Sequence, residues 1–357
     1  MNVTAVSAEP AVAHEPAAPP AAADAPRSLL IINPRSGQRR ARIVRRKVIA
    51  VLSEGGPVDI VETRAAGDAF RAARSLGDPD APATARIVVL GGDGTVNEVA
   101  NGLQTANRFD VPIGLIPFGT GNLLAKQYGI PIRRSRAAAR VALTGEPQRL
   151  DLIHVSYPAD DDRSASDTGL IATERRRIMT GIAGAGFDGE IVRRFHASRK
   201  KWAPGVLWYT WIMLRVLTSW RSPWIGVTVD GTTYDPARWV VICNTKTVGG
   251  PLCFAPQARP DDGQLDVVMF RQPPHARLFS FWWSLVVRGD VTRHRDVQHV
   301  TAREQLDLVA VPPPGSSGAR RVTADVPCQL DGDPVGNAPI RFRPDRERFL
   351  RILAPQR

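Results

Sequence analysis

Five residues, Gly91-Gly92-Asp93-Gly94-Thr95, carry the densest chemistry in the chain. They follow the apolar run Ile87–Leu90 and lead into a helix-like pattern that ends near Leu103. A strand, a glycine-rich turn and a helix start leave backbone N–H groups free and let a polyphosphate approach, with the helix dipole favouring its charge. Asp93 puts a carboxylate inside the turn, where it can hold Mg²⁺ or meet a substrate hydroxyl. Thr95 caps the helix or donates to a phosphate. With Thr95 as N-cap, Glu98 falls where a capping box needs its acid. The pattern predicts a nucleotide-binding protein.

Other turns extend this chemistry. Pro117-Phe118-Gly119-Thr120-Gly121-Asn122 closes the next apolar run and offers a second hydroxyl and two glycines, a second wall for the same pocket. Gly184-Ala185-Gly186-Phe187-Asp188-Gly189 matches GxGxxG, but a dinucleotide fold needs an acid about 20 residues on. Ala203–Tyr209 supplies none, so this is not read as a Rossmann site. No GxxxxGK[ST] occurs, which excludes a P-loop. Pro260-Asp261-Asp262-Gly263-Gln264-Leu265-Asp266 is an Asx-type turn in its plain reading, and an Mg²⁺ site built from one carboxylate and carbonyls in its sharper one. Leu330-Asp331-Gly332-Asp333 is, taken alone, an ordinary Asp-Gly turn.

The elements that position these turns alternate. Leu29–Ile32, Val58–Glu62, Ile87–Leu90 and Ile113–Ile116 read as strands, with helices at Gln38–Leu52, Gly67–Leu76 and Thr95–Leu103 between them. This predicts a parallel α/β sheet with ligand loops at the carboxyl ends of its strands. After about residue 149 short β-type runs dominate, among them Leu150–Val155, Ile178–Ala183, Trp224–Val229, Trp239–Cys243 and Leu265–Phe270. They predict an antiparallel sandwich or barrel. Residues 157–177 read as a flexible hairpin loop. Residues 1–26, rich in Ala and Pro, form a low-complexity tail outside the fold, followed by an α/β domain over 27–149 and a β-sandwich domain over 150–354.

Composition bounds the partners. A formal net charge of +12 over 357 residues, clustered at Arg45-Arg46-Lys47, Arg175-Arg176-Arg177 and Arg199-Lys200-Lys201, suits anionic partners. Solvated arginines account for it equally well. Cys243, Cys253 and Cys328 fit neither a zinc site nor a disulfide framework and read as free thiols. The longest apolar runs, Val206–Leu217 and Leu278–Val287, fall short of the ~18 residues of a membrane span. Residues 202–224 combine Trp202, Trp208, Trp211, Trp220 and Trp224 with a preceding basic run, and Val206, Trp208, Trp211, Ile212 and Leu214 form a broad apolar helix face. That face suits a membrane interface or a core-packing helix.

Taken together the motifs resemble those of the soluble bacterial diacylglycerol kinase-like lipid kinases, relatives of sphingosine kinases and, more distantly, of NAD kinases. They occur in family order over about residues 28–354: NPRSG at 33–37, GGDGTVNEVANGL at 91–103, PFGTGN at 117–122, GAGFDGEIV at 184–192, APQARPDDGQLDVV at 255–268 and LDGD at 330–333. The resemblance implies an N-terminal α/β nucleotide domain, a C-terminal β-sandwich and an active site in the cleft between. It implies ATP contacts at Thr63, Gly91–Thr95 and Thr120. With the neighbouring turn residues, the candidate nucleotide set is Asn33, Thr63, Gly91, Gly92, Asp93, Gly94, Thr95, Glu98, Gly119, Thr120 and Asn122. The family's Mg²⁺ site maps onto Asp262, with backbone oxygens of Arg259 and Gln264. Its proton acceptor maps onto Asp333, where the family carries Glu. Asp is one methylene shorter, so Asp93 stands as the alternative base. Leu123 and Pro251 are further departures.

The expected activity is ATP- and Mg²⁺-dependent phosphorylation of a membrane lipid, diacylglycerol or a related alcohol. The expected setting is cytoplasmic and peripheral to the inner face of the cell membrane, on anionic headgroups, with homodimers known in the family. The alternatives are a soluble-metabolite kinase of the NAD kinase type and a catalytically weakened nucleotide- or membrane-binding protein. Nucleic acid is not expected, since no recognised binding module is present.

Overall fold

A computed structural model of the chain describes residues 25–36, 41–159, 174–198, 205–246, 253–272, 290–315 and 325–356. The tail over 1–24, residues 37–40, Asp160–Asp162, the Arg199–Lys201 cluster with Trp202, Gly249-Gly250-Pro251, the Leu278–Val287 run and residues 316–318 lie outside the described residues.

The N-terminal half alternates β1 (Arg27–Ile32), α1 (Ala41–Leu52), β2 (Val58–Glu62), α2 (Asp68–Arg74), β3 (Thr84–Gly91), α3 (Asp93–Thr105), β4 (Ile113–Pro117), α4 (Leu123–Gln127) and α5 (Ser135–Thr144). Two paired strands follow, β5 (Glu146–Pro158) and β6 (Glu174–Met179), then β7 (Ile182–Ala185), α6 (Phe187–Ala197) and α7 (Gly205–Ser219). The remainder is strand: β8 (Trp224–Val229), β9 (Thr232–Ala237), β10 (Trp239–Cys243), β11 (Leu265–Phe270), β12 (Val297–Ala302), β13 (Leu306–Val311), β14 (Pro327–Leu330), β15 (Asp333–Asn337) and β16 (Ile340–Ala354).

Leu29–Ile32 and Ile87–Leu90 are buried without alternation, as strands covered on both faces must be. They sit at the centre of four parallel neighbours in the order β2-β1-β3-β4. β16 completes this layer from the far end of the chain, with Ile352 and Leu353 parallel to Ile113 and Gly114 of β4. Leu350, Ile352 and Ala354 share one core with Leu30 and Val88. At about 1.5–3 kcal/mol for each fully buried Leu or Ile, the returning strand is part of what stabilises the first layer. β16 also runs antiparallel to β5, and its first residues pair with β13, which leads on to β8 and β9. One sheet therefore joins the two halves.

The second sheet, β12-β11-β10-β7-β14-β15, is antiparallel throughout. It faces the distal part of the first sheet, and Val155, Met179, Val227 and Phe342 share a core with Ala183, Ile242, Val267 and Leu330. This is the expected sandwich. The cysteines are free, with Cys243 and Cys328 buried. Among the described residues no helix is long and apolar enough to cross a membrane.

Three local expectations are corrected. The run Ile178–Ala183 is split between β6 and β7, which lie in different sheets. The cause is the Asp331 carboxylate, which takes the N–H groups of Thr180, Gly181 and Ile182 and diverts the chain between them. The loop expected over 157–177 is shorter, because Tyr157 and Pro158 pair with Arg175 and Glu174 as strand residues. The apolar face expected around Trp208 is divided: Trp208 and Ile212 are buried, whereas Trp211 and Leu214 are exposed.

Candidate functional site

The parallel order β2-β1-β3-β4 brings Thr63, Asn33, the Gly91–Thr95 turn and the Pro117–Asn122 turn to neighbouring carboxyl ends. Backbone bonds knit these ends together: Thr63 N–H donates to Ile32 O at 2.9 Å, Asn33 N–H to Leu90 O at 3.0 Å, and Phe118 N–H to Gly91 O at 2.9 Å. Asn33 Nδ2 donates to Thr95 Oγ1 at 3.0 Å, which leaves the threonine proton available to another acceptor. The two glycine-rich turns touch backbone to backbone. A Cβ on Gly119 would stand 2.7 Å from Gly92 Cα, and one on Gly92 3.2 Å from Gly119 Cα, so Gly119 excludes a side chain and Gly92 leaves little room for one. Asn122, left-handed at φ 49°, closes its turn by accepting from Gly119 N–H and donating to Gly119 O. Thr120 is exposed, and nothing lies within 4 Å of where a Gly94 Cβ would be. The first turn of α3 therefore faces open space.

Helix α3 starts two residues earlier than the sequence suggests. Its N-cap is Gly92, whose carbonyl accepts from Thr95 and Val96, and no side chain caps it. The capping box is thus absent, since Thr95 lies inside the helix. Glu98 Oε2 instead accepts from Ala69 N–H at the start of α2, at 3.2 Å. Asp93 is the first helical residue and favours the dipole from there. Its Oδ1 accepts from Leu124 N–H at 3.3 Å, so the starts of α3 and α4 converge on one carboxylate. Burial pushes Asp93 above its ordinary value, and the amides of Leu124, Leu123 and Asn122 pull it back.

One turn further along α3, Asn97 reaches the C-terminal half. It is buried, donates to Ile178 O at 2.9 Å and to Asp331 Oδ2 at 2.7 Å, and accepts from Arg177 Nη2 at 2.9 Å. The same Arg177 nitrogen donates to Asp333 Oδ2 at 3.2 Å. Asp333 is half-exposed at 48%, so its carboxylate meets both Arg177 and solvent. Positions i and i+4 on a helix lie about 5–6 Å apart at Cβ. Asn97, one helical turn along α3 from Asp93, therefore ties the Arg177–Asp333 pair to the helix that begins at the glycine turn. Asp331 anchors the arrangement through five donors: Gly181 and Ile182 N–H on Oδ1, and Asn97 Nδ2, Thr180 N–H and Thr180 Oγ1 on Oδ2.

In the sequence Asn97 stands out only as part of the 91–103 motif, and Arg177 only as one of three clustered arginines at the end of an expected loop. Arg177 is the first residue of β6 to turn partly inward, directly before the buried Ile178, and that place at the edge of the apolar run Ile178–Ala183 is the signal that could have found it.

The Asp262 loop lies elsewhere, against β5. Asp262 Oδ1 accepts from Gln264 N–H at 3.0 Å, the Asx turn of the plain reading. Gly263 N–H donates to the fully buried Asp151 at 2.6 Å, and the Arg259 side chain pairs with Asp261. Burial first, then the negative charges of Asp151 and Asp266, push Asp262 up. Among the described residues no three His, Cys, Asp or Glu side chains gather as a metal cluster. A cation here would rest on Asp262 and backbone oxygens, a hard-oxygen set of the kind Mg²⁺ takes.

The GxGxxG stretch does form a strand, turn and helix, but its glycines serve packing. A Cβ on Gly184 would overlap the Asp188 carboxylate, and one on Gly189 would overlap the Pro327 carbonyl. Gly186 turns at φ 95°. Asp188 is held by Trp239 Nε1 at 3.0 Å and Gln329 Nε2 at 3.1 Å.

Comparison with known proteins agrees with this fold. Residues 27–155 match the family described as diacylglycerol kinase catalytic domain, and residues 181–354 the one described as YegS C-terminal NAD kinase beta sandwich-like domain. A diacylglycerol kinase of Mycobacterium tuberculosis is 32% identical over 254 residues, 71% of this chain and 75% of that protein. A diacylglycerol kinase of Bacillus subtilis is 26% identical over 334 residues, covering 92% and 97%. The crystal structure of a diacylglycerol kinase from Bacillus anthracis superposes with a TM-score of 0.62 at 19% identity, over 93% of this chain and 97% of that one, a likeness of fold.

Proposed function

The chain belongs to the family of diacylglycerol kinase-like lipid kinases, and on that basis we propose that it transfers the γ-phosphate of ATP to the hydroxyl of a membrane lipid. The acceptor is diacylglycerol or a related lipid alcohol, met at the inner face of the cell membrane. The phosphates lie over the first turn of α3, against the side-chain-free surface of Gly92, Gly94 and Gly119, with the Thr95 and Thr120 hydroxyls in reach. Mg²⁺, when bound, neutralises phosphate charge, and Asp262 with the backbone oxygens of Arg259 and Gln264 is the set that would hold a structural ion.

The lipid oxygen attacks the γ-phosphorus in line. The new O–P bond forms as the bond to the β–γ bridging oxygen breaks, ADP leaves, and the hydroxyl proton passes to the Asp333 carboxylate. Asp93, fastened to the start of α4, fixes the two glycine turns against each other.

The observation that supports this assignment is the chain of contacts from Asn97 through Arg177 to Asp333, which links a half-exposed carboxylate to the helix that starts at the glycine turn. Arg177 is then a positioning residue. Loss of the base in Asp333→Asn should lower kcat about hundredfold or more, with KM for ATP moved by less than about threefold. Arg177→Met should lower kcat about tenfold in the parent and add almost nothing to Asp333→Asn, while Arg177→Lys recovers part of the loss. Fully multiplicative losses would show that Arg177 does not act through Asp333.

A further inference from the structure

Helix α7 has two apolar faces, and among the described residues the hydrophobic core takes one. Trp208, Ile212 and Val216 pack with Phe187, Trp239 and Phe254 in a core of their own. On the opposite side Leu207, Trp211 and Leu214, at i, i+4 and i+7, are 61%, 37% and 52% exposed. An amphipathic surface helix needs a single apolar stripe, and the other face is normally polar.

The sequence that carries this second stripe is cationic. From Ile191 to Val229 the sequence holds seven Lys and Arg and neither Asp nor Glu. Within the helix, the Arg215 guanidinium lies 5.2 Å from the Trp211 ring centroid, and Arg221 is exposed just beyond it. Glu190, the acid bordering the stretch, is buried and already paired with Arg193 and Arg194.

Helix α6 connects the helix that carries the stripe to the turn that carries Asp333. Arg194 of α6 donates to Ser219 of α7 at 3.0 Å, and His196 of α6 is bonded to Gly332 O, between Asp331 and Asp333, at 3.1 Å. α6 thus touches both the turn that carries Asp333 and the helix that carries the stripe.

We propose that the outer face of α7, with Leu207, Trp211 and Leu214 inserted and Arg215 at the headgroups, seats the protein on a bilayer containing anionic phospholipid. The proposal rests on the lipid-kinase reading for the presence of a membrane and adds the surface that meets it. Three large apolar side chains with a guanidinium at their edge have the composition of an interfacial helix. They are too few for the ~800 Å² that each partner of a stable dimer contributes.

The test is co-sedimentation of the full chain with phosphatidylcholine vesicles, with and without phosphatidylglycerol. Turnover on a short-chain, water-soluble diacylglycerol is measured in parallel. The parent should partition onto the anionic vesicles, less so in high salt, and Leu207→Gln with Leu214→Gln should weaken partition about tenfold while sparing soluble turnover. Arg215→Gln should weaken binding to the anionic vesicles only. Variants that sediment like the parent would overturn the proposal, as would variants that change oligomeric state but not vesicle binding. Vesicle binding that depends on the stripe, without phosphorylation of any lipid, would support this surface and sink the kinase reading instead.

Discussion

Asp331→Asn keeps the shape of the side chain and a residue that tolerates the left-handed backbone at φ 49°, so its effect isolates the carboxylate. Five donors converge on Asp331, two on Oδ1 and three on Oδ2. An amide has one acceptor oxygen. It serves best on the three-donor side, and the N–H groups of Gly181 and Ile182 then face an NH₂ group. Each stranded donor costs about 1–3 kcal/mol, or about 2–6 kcal/mol for the pair. Part of this returns, because burial pushes the Asp331 carboxyl up and so works against the ionised form. The expected net loss is about 2–4 kcal/mol.

All eight tryptophans fall between residues 202 and 283, so guanidinium unfolding followed by tryptophan fluorescence reports on the half that contains residue 331. The Asn97 contact survives in the favoured amide orientation, so kcat should fall less than about tenfold. A loss of stability below about 0.5 kcal/mol would refute the view that this carboxylate holds the junction.

Two further substitutions probe the site and its support. Gly94→Ala adds a methyl where nothing lies within 4 Å, at a helical position, so stability should hold or rise by up to about 1 kcal/mol while KM for ATP rises. Unchanged ATP kinetics would move the phosphates away from this turn. Asp188 is half-buried under Trp239 and Gln329, and burial pushes its carboxyl up to about 6. The fold therefore favours the protonated form, whose contribution is complete below about pH 4 and is lost as pH rises through about 6. Against the parent, Asp188→Asn should gain about 3 kcal/mol between pH 4 and pH 7 in denaturant titrations, and a pH-independent difference would contradict the assignment.

What the sequence reveals and what it hides follow from the range of the interactions. The turns at Gly91–Thr95 and Pro117–Asn122 are legible because glycine, proline and asparagine act on their own backbone. Alternation of strands and helices predicts the parallel layer and the short runs beyond Leu150 predict the antiparallel one, since periodicity is local. The pairing of Ile352 with Ile113 joins residues at opposite ends of the chain and leaves no periodic trace. Asp331 looks like half of an ordinary Asp-Gly turn, and its role exists only once Thr180, Gly181, Ile182 and Asn97 surround it. Arg177 sits in a run of three arginines beside a serine- and aspartate-rich stretch, where solvated charge is the usual outcome. Glu98 suits a capping box by spacing, yet a neighbouring helix supplies its donor.

The most direct test is transfer of labelled γ-phosphate from ATP to lipid alcohols in mixed micelles, with NAD as a soluble acceptor and Asp333→Asn and chelated Mg²⁺ as blanks. The account predicts label on a lipid, diacylglycerol first, that is abolished by chelation and reduced about hundredfold or more in Asp333→Asn. Label on NAD alone, or none on any lipid by a protein that still binds ATP, would contradict it.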